Sequence, residues 1–301
     1  MDMASRTRSA ARLMGLGACA VFALSPFSAR AAATDSYYER ALMSAANARC
    51  HLFEPNLAAA LAMTEAQARG AALRAGIDED QLDQVAERAR AKAGGQPCDS
   101  RDLALVAERV KAGFTGFTRL TRLDYPGDLK TWAAVRQDST TGRVWNLSQS
   151  ATFGSDNLTF GLTQYKGVKE LIAVAQFADG ADPYAARIVM RDRSLSRRAY
   201  LDARLASGGK IPLNGRVTPR SATKSFLADT EFAPGQLLKP AGKTPALAYR
   251  FPPAAAAALA ELDPREAIQI EFLFSNGVVR TAYIEVGDFA AGRAFLMVAQ
   301  R

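Results

Sequence analysis

The chain has 301 residues, 49% of them hydrophobic and 23% charged, with a formal net charge of +8. That composition excludes wholesale disorder and supplies enough chain for one large or two modest domains. A single histidine, His51, excludes metal sites built from several imidazoles and speaks against a Ser-His-Asp triad.

The chain opens with Arg6, Arg8 and Arg12, followed by an apolar run from Leu13 to Leu24 that Ser25-Pro26 breaks. Ala29-Arg30-Ala31 and Ala31-Ala32-Ala33 each match the small-x-small pattern of a signal-peptidase site, so residues 1–33 read as a signal peptide. The run is shorter than the roughly 20 residues a transmembrane helix needs. Leu16-Gly17-Ala18-Cys19 offers a second reading as a lipoprotein box, although the apolar run continues past Cys19. The expected location is periplasmic or secreted, with no membrane span after the signal. Removing residues 1–31 takes away Asp2 and four arginines and lowers the net charge from +8 to +5. Export removes ATP from reach; no cofactor and no nucleic-acid partner is expected. Cys50 and Cys98 remain, and two cysteines in an oxidising compartment read as a disulfide closing a loop of about 48 residues. Their spacing is not that of a redox or metal motif, and no metal site is expected.

Residues 34–120 read as four helices. Asp35 or Ser36 caps the first, which ends near Cys50; Pro55 opens the second, which stops at Gly76. Asp78 starts a third that ends at Gly94-Gly95, and Asp99 or Ser100 caps a fourth that runs to Gly113–Gly116. The cluster Asp78, Glu79, Asp80 and Asp83 lacks the alternating ligand pattern of a calcium loop and fits the acidic first turn of a helix.

After Asp124-Tyr125-Pro126-Gly127 the hydrophobic period changes to that of strands. Trp132–Gln137, Val144–Phe153, Leu158–Tyr165 and Glu170–Phe177 are separated by turn residues, which predicts an antiparallel sheet or sandwich over residues 121–301. Pro252-Pro253 and the alanines that follow predict a short helix. Ile268–Phe274 and Val279–Val286 flank Asn276-Gly277, a type I′ hairpin signal that sets Glu271 opposite Ala282 and Leu273 opposite Arg280. Asp288 is expected to cap a terminal helix. The fold class is therefore α+β: an N-terminal disulfide-tied helical module, then an antiparallel β-sheet or sandwich domain with a C-terminal helix.

A second hairpin is expected from Pro183–Arg193 and Arg198–Ala206. Its register sets Arg193 opposite Arg198, Arg191 opposite Tyr200 and Arg187 opposite Arg204, which stacks like charges unless an anion lies between them. Residues 187–224 carry ten basic side chains and two acidic ones. Arg187, Arg191, Arg193, Arg198, Arg204 and Tyr200 are thus the candidate anion-binding face, for an anionic envelope component or an acidic protein. A solvated polar sheet face is the plainer alternative.

Enzyme motifs appear only in fragments. Ser221-Ala222-Thr223-Lys224, Ser155-Asp156-Asn157 and Lys243-Thr244 evoke penicillin-binding enzymes, but their order is wrong and Pro245 stands where a glycine belongs. Gly242-Lys243-Thr244 ends like a P-loop without its spacing, and no G-x-S-x-G occurs. No catalytic residue is singled out. The reading is a non-catalytic binding or envelope-interaction protein; the alternative is a hydrolase of envelope polymers working through paired carboxylates.

One resemblance bears on the second half. Trp132 with Val135, Thr141-Gly142-Arg143 ahead of Leu147 and Gln149, and Gly287-Asp288-Phe289 after the Asn276-Gly277 hairpin follow a recognisable outline. On these residues the last ~170 positions resemble the invasion-associated locus B family of bacterial periplasmic proteins. The resemblance implies a non-enzymatic, β-rich exported module. The cysteines expected of that family are absent from this half.

Overall fold

The computed structural model describes residues 26–201, 211–240 and 244–297, with the side chains of 26–29 and Thr118 excepted. Cys19, Arg204 and Lys243 lie outside the described residues. Helices α1 (Pro26–Cys50), α2 (Pro55–Arg74), α3 (Glu79–Gly94) and α4 (Arg101–Phe114) come first. Their boundaries follow local chemistry. Pro55 sits in the first turn of α2, Asp78 forms a capping box with Gln81 at the start of α3, and the Ser100 hydroxyl accepts from Leu103 N–H at the start of α4. Helix α1 differs from expectation: it begins at Pro26, so its first turns pass through the two expected cleavage sites rather than starting at Asp35 or Ser36.

Helices α1 to α3 share a core of Tyr37, Ala41, Ala72, Leu73, Leu82 and Val85. A second cluster, with Met43, Phe53, Leu61, Leu103 and Ala107, holds α4. The expected Cys50–Cys98 disulfide is present and joins the last residue of α1 to the turn before α4.

Among the described residues eleven strands follow. They are β1 (Arg122–Pro126), β2 (Thr131–Val135), β3 (Val144–Phe153), β4 (Asp156–Tyr165), β5 (Val168–Gln176), β6 (Ala185–Arg191), β7 (Thr223–Leu227), β8 (Thr230–Phe232), β9 (Leu247–Phe251), β10 (Ala267–Leu273) and β11 (Val279–Glu285). Helices α5 (Pro253–Ala260) and α6 (Phe289–Phe295) lie around the last strands. A seven-stranded sheet has the order β1-β2-β3-β4-β5-β9-β8, and a four-stranded sheet the order β11-β10-β6-β7; every pairing is antiparallel.

Their inner faces share one core. Phe153 of β3 stacks on Phe272 of β10 at 5.5 Å, and Phe177 meets Phe272 edge-on at 5.2 Å. Phe289 and Phe295 of α6 close one side of this core, and Met63 and Ala66 of α2 enter it. Helix α2 therefore packs on both the other helices and the sandwich. No helix among the described residues is long and apolar enough to cross a membrane.

Two hairpin expectations are corrected. At Ser275-Asn276-Gly277 only Gly277 has a positive φ (+81°), while Phe274 N–H donates to Val278 O at 3.0 Å and Gly277 N–H to Phe274 O at 3.0 Å. The connection is thus a three-residue loop with glycine in the left-handed region, not a type I′ turn. Pairing moves by one residue: Glu271 faces Thr281, Phe272 faces Arg280 and Leu273 faces Val279. A one-residue shift changes faces, so Arg280 turns away from the side expected for it and closes the end of the sandwich on Asp156 (3.0 Å) and Asp179 (3.1 Å), with its guanidinium 4.8 Å from the Phe274 ring. Ile268, Ile270, Phe272 and Phe274 are buried in the core as the alternation predicted.

The second correction concerns Pro183–Arg193 with Arg198–Ala206. Strand β6 pairs with β10 and β7, and residues 198–201 form no strand; 202–206 lie outside the described residues. A terminal correction is smaller: Asp288 flanks α6 but makes no side-chain cap, because its carboxylate is taken by Arg74.

Candidate functional site

The candidate arginines do not line one sheet face. They fan out from β6 and the loop behind it toward acidic groups of other elements. Arg187, on β6, donates to Glu271 at 2.7 Å, and Arg220 reaches the other oxygen of the same fully buried carboxylate. Arg191, at the end of β6, is a core residue. Its side chain is 0% exposed and forms a two-pronged pair with Glu266 (2.8 and 3.0 Å). Its remaining nitrogen donates to the backbone carbonyls of Ser196 and Arg197, which shapes the loop. Burial pushes the Glu266 carboxyl up, and the Arg191 guanidinium opposes that shift.

Beyond β6 the chain meets helix α3. Arg193 contacts Glu79 at 3.4 Å, and Arg69 from α2 contacts the same Glu79 oxygen at 3.0 Å. Arg197 pairs with Asp83, and Arg198 with Asp80. The Arg198 guanidinium holds the Asp80 carboxyl below its ordinary range, and Asp83 and Asp80 raise Arg197 and Arg198 in turn. Tyr200 is half-exposed beside this loop. Arg204 lies outside the described residues.

The acidic start of α3 thus has two roles. It opens a helix, as its position predicted, and it also supplies the anions that the basic loop faces. Charge complementarity between residues 78–83 and 193–198 was present in the sequence, but 110 or so positions of separation hid it.

A different set of residues was given no pairing by the sequence. Glu285, at the end of β11, is fully buried and accepts from the backbone N–H groups of Asp128 (2.7 Å), Leu129 (3.0 Å) and Lys130 (2.6 Å). Arg216 is buried beside it, donating to Asp128 at 2.9 Å and to the Ile211 carbonyl at 2.8 Å. Asp263 holds Arg265, and Asp288 holds Arg74 through two bonds of 2.6 and 2.9 Å. For Glu285 the apolar neighbours in the chain were the one available signal: a carboxylate between Ile284 and Val286 in a strand pattern points to burial, and a buried carboxylate needs a partner.

Trp132, Gln149, Gly287 and Phe289, four of the residues that carried the family resemblance, meet at this same place, whereas Arg143 pairs with Glu170 elsewhere. Trp132 Nε1 donates to the carbonyls of Glu285 (3.1 Å) and Val286 (3.0 Å), and Gln149 exchanges two hydrogen bonds with the Glu285 backbone (2.8 and 3.2 Å). Gly287 has φ +47° and lies against the Trp132 indole, and Phe289 meets that ring at 5.1 Å. They form a packed junction between the sheets and α6, which is structural chemistry.

Among the described residues the fragments of enzyme motifs form no shared site: Asp156 is committed to Arg280 and the Ala178 N–H, and Ser221 lies on the surface just before β7. Among the described residues no three His, Cys, Asp or Glu side chains are grouped so as to hold a metal. No family model, characterised protein or solved structure matches the chain.

Proposed function

We propose that the chain is an exported, non-catalytic binding protein of the bacterial envelope, and that it engages anionic envelope components through the loop from Arg193 to Tyr200. The leader-like first residues and the Cys50–Cys98 bridge both support an oxidising compartment. The observation that carries the binding role is the exposure of the loop. Arg197 and Arg198 are 66% and 64% exposed, and the Asp83 and Asp80 carboxylates that hold them are 38% and 37% exposed. Ion pairs in water are weak and screened, so a surface dense in negative charge competes well with two aspartates. Arg187 and Arg191 are committed to Glu271 and Glu266 and serve the fold instead. The hydrolase reading draws less support, because Glu266, Glu271, Glu285 and Asp288 each already hold an arginine or backbone N–H groups.

The test is sedimentation of the full chain with phosphatidylglycerol-containing vesicles. Binding is expected there and not on neutral phosphatidylcholine, and it should fade at high salt. Arg197→Ser with Arg198→Ser should weaken it roughly tenfold or more, at about 1 kcal/mol per cation near an anionic surface. Equal binding by the double variant would sink the proposal.

A further inference from the structure

A cleft of about 540 Å³ opens where β4, β5 and β9 end against α5 and the C-terminal end of α6. Its floor is Leu162, Leu171 and Phe251, which are 5%, 2% and 2% exposed and belong to the sandwich core. Its lips are Val168 and Met297, which are 60% and 67% exposed. An apolar path therefore runs from solvent to the core. That volume and a mostly apolar lining with a few polar groups are typical of sites for small organic ligands, at ~300–1,000 Å³.

The charged groups at the cleft divide into two sets. Arg250 is neutralised by Glu170 at 3.2 Å and Asp229 at 3.3 Å. Lys169 and Arg293 also line the cleft, and among the described residues neither forms an ion pair. The Lys169 ammonium donates one bond, to the Leu296 carbonyl at 2.7 Å, which leaves two of its three donors unused. Burial and the nearby Arg293 both depress the Lys169 ammonium, so the two cations repel one another across a low-dielectric opening. An anion at this point would relieve that repulsion, and an alkyl chain attached to it would cover the apolar floor.

We propose that this cleft binds a single-chain amphipathic carboxylate, with the carboxylate shared by Lys169 and Arg293 and the alkyl chain laid over Leu162, Leu171 and Phe251. A planar carboxylate matches an ammonium and a guanidinium fork, and one chain suits a cleft of this size. The site uses none of the residues of the 193–200 loop, so it stands or falls independently of vesicle binding.

Calorimetric titration of the full chain with dodecanoate, below its micelle concentration, tests the proposal. The expected result is saturable binding at one site, at least tenfold weaker for dodecanol and undetectable for acetate. Affinity should rise about fourfold for each added methylene between octanoate and dodecanoate. Lys169→Gln and Arg293→Gln should each weaken dodecanoate at least tenfold, and Ala256→Trp, which fills the cleft from α5, should abolish it; circular dichroism confirms that each variant is folded. Arg197→Ser with Arg198→Ser should leave it unchanged. Absence of binding, equal affinity for dodecanol, or indifference to the cleft variants overturns the proposal. So does binding that appears only after residues 298–301 are deleted, because the chain's own tail would then be the natural occupant.

Discussion

Glu285 shows how much one side chain holds. Its carboxylate is enclosed by three backbone N–H donors, and its backbone is gripped by Trp132 and Gln149. The enclosure requires Gly127, since a Cβ built there would lie 2.8 Å from the Glu285 carboxylate. Gly127→Ala should therefore push a charged group off its donors and cost about 3 kcal/mol in urea unfolding. Gly142→Ala meets only Leu237 at ordinary contact distance, 3.7 Å, and should cost far less; similar losses for the two would contradict this account. Asp179 gives a second residue-level test. The Arg280 guanidinium and the Ala181 N–H lower its carboxyl to about 2. A depressed carboxyl contributes its stability in full above the ordinary value near 4, roughly, and loses it as pH falls through about 2. Carbon-detected NMR should find Asp179 titrating near the lower value, and Arg280→Gln should return it toward the ordinary one. Of such residues the sequence reveals type, not burial or partner. Trp132, Gln149 and Gly287 stood out in the chain, but the Glu285 carboxylate did not, because its donors are backbone groups that any residue carries.

The helix ends were the most readable elements, since caps act over three or four residues: Pro55, Asp78 and Ser100 each sit where their chemistry belongs. The strands β3 to β5 were readable too, because tight turns join neighbours. Strand β6 was not. Its alternation marked a strand, but its partners β10 and β7 lie far along the chain, and short-range alternation carries no information about which distant strand a residue will face. The disulfide belongs to this scale as well. Helix α4 buries only Leu103 and Ala107 fully and leaves Leu105 and Val106 exposed, so the bridge at its entrance carries much of its attachment. Closing a loop of that length is worth about 4 kcal/mol in the chain-entropy model. Cys50→Ser with Cys98→Ser should release α4 first: amide exchange should quicken across residues 101–114 while β3, β4 and β5 keep their protection. Uniform loss across both regions would show the bridge to stabilise the molecule as one unit.

At the scale of the molecule, two unlike sets of ties join the helices to the sandwich, and they should respond differently to the same perturbation. One set is buried. Met63 and Ala66 of α2 enter the sandwich core, Arg74 holds an Asp288 whose side chain is 3% exposed, and Gly70 lets α2 approach to within 2.5 Å of that carboxylate as measured from a built Cβ. The other set is exposed: Arg197 with Asp83 and Arg198 with Asp80, both screened by salt. High salt should therefore loosen the start of α3 from the basic loop without separating the two parts. The scattering radius should stay constant while exchange rises at residues 79–83. Arg74→Met is different, because it strands a buried carboxylate; breaking such a pair from one side costs about 3 kcal/mol or more. It should lower the urea midpoint markedly, and adding Asp288→Asn should recover part of the loss by removing the stranded charge. Asp80→Asn and Asp83→Asn should leave the midpoint almost unmoved. A molecule that came apart in salt, or that tolerated Arg74→Met as readily as Asp80→Asn, would place its main joint at the exposed loop. The competition between Asp80, Asp83 and an anionic surface for Arg197 and Arg198 would then control how the two parts are held together, and vesicle binding would have to change the scattering radius along with it.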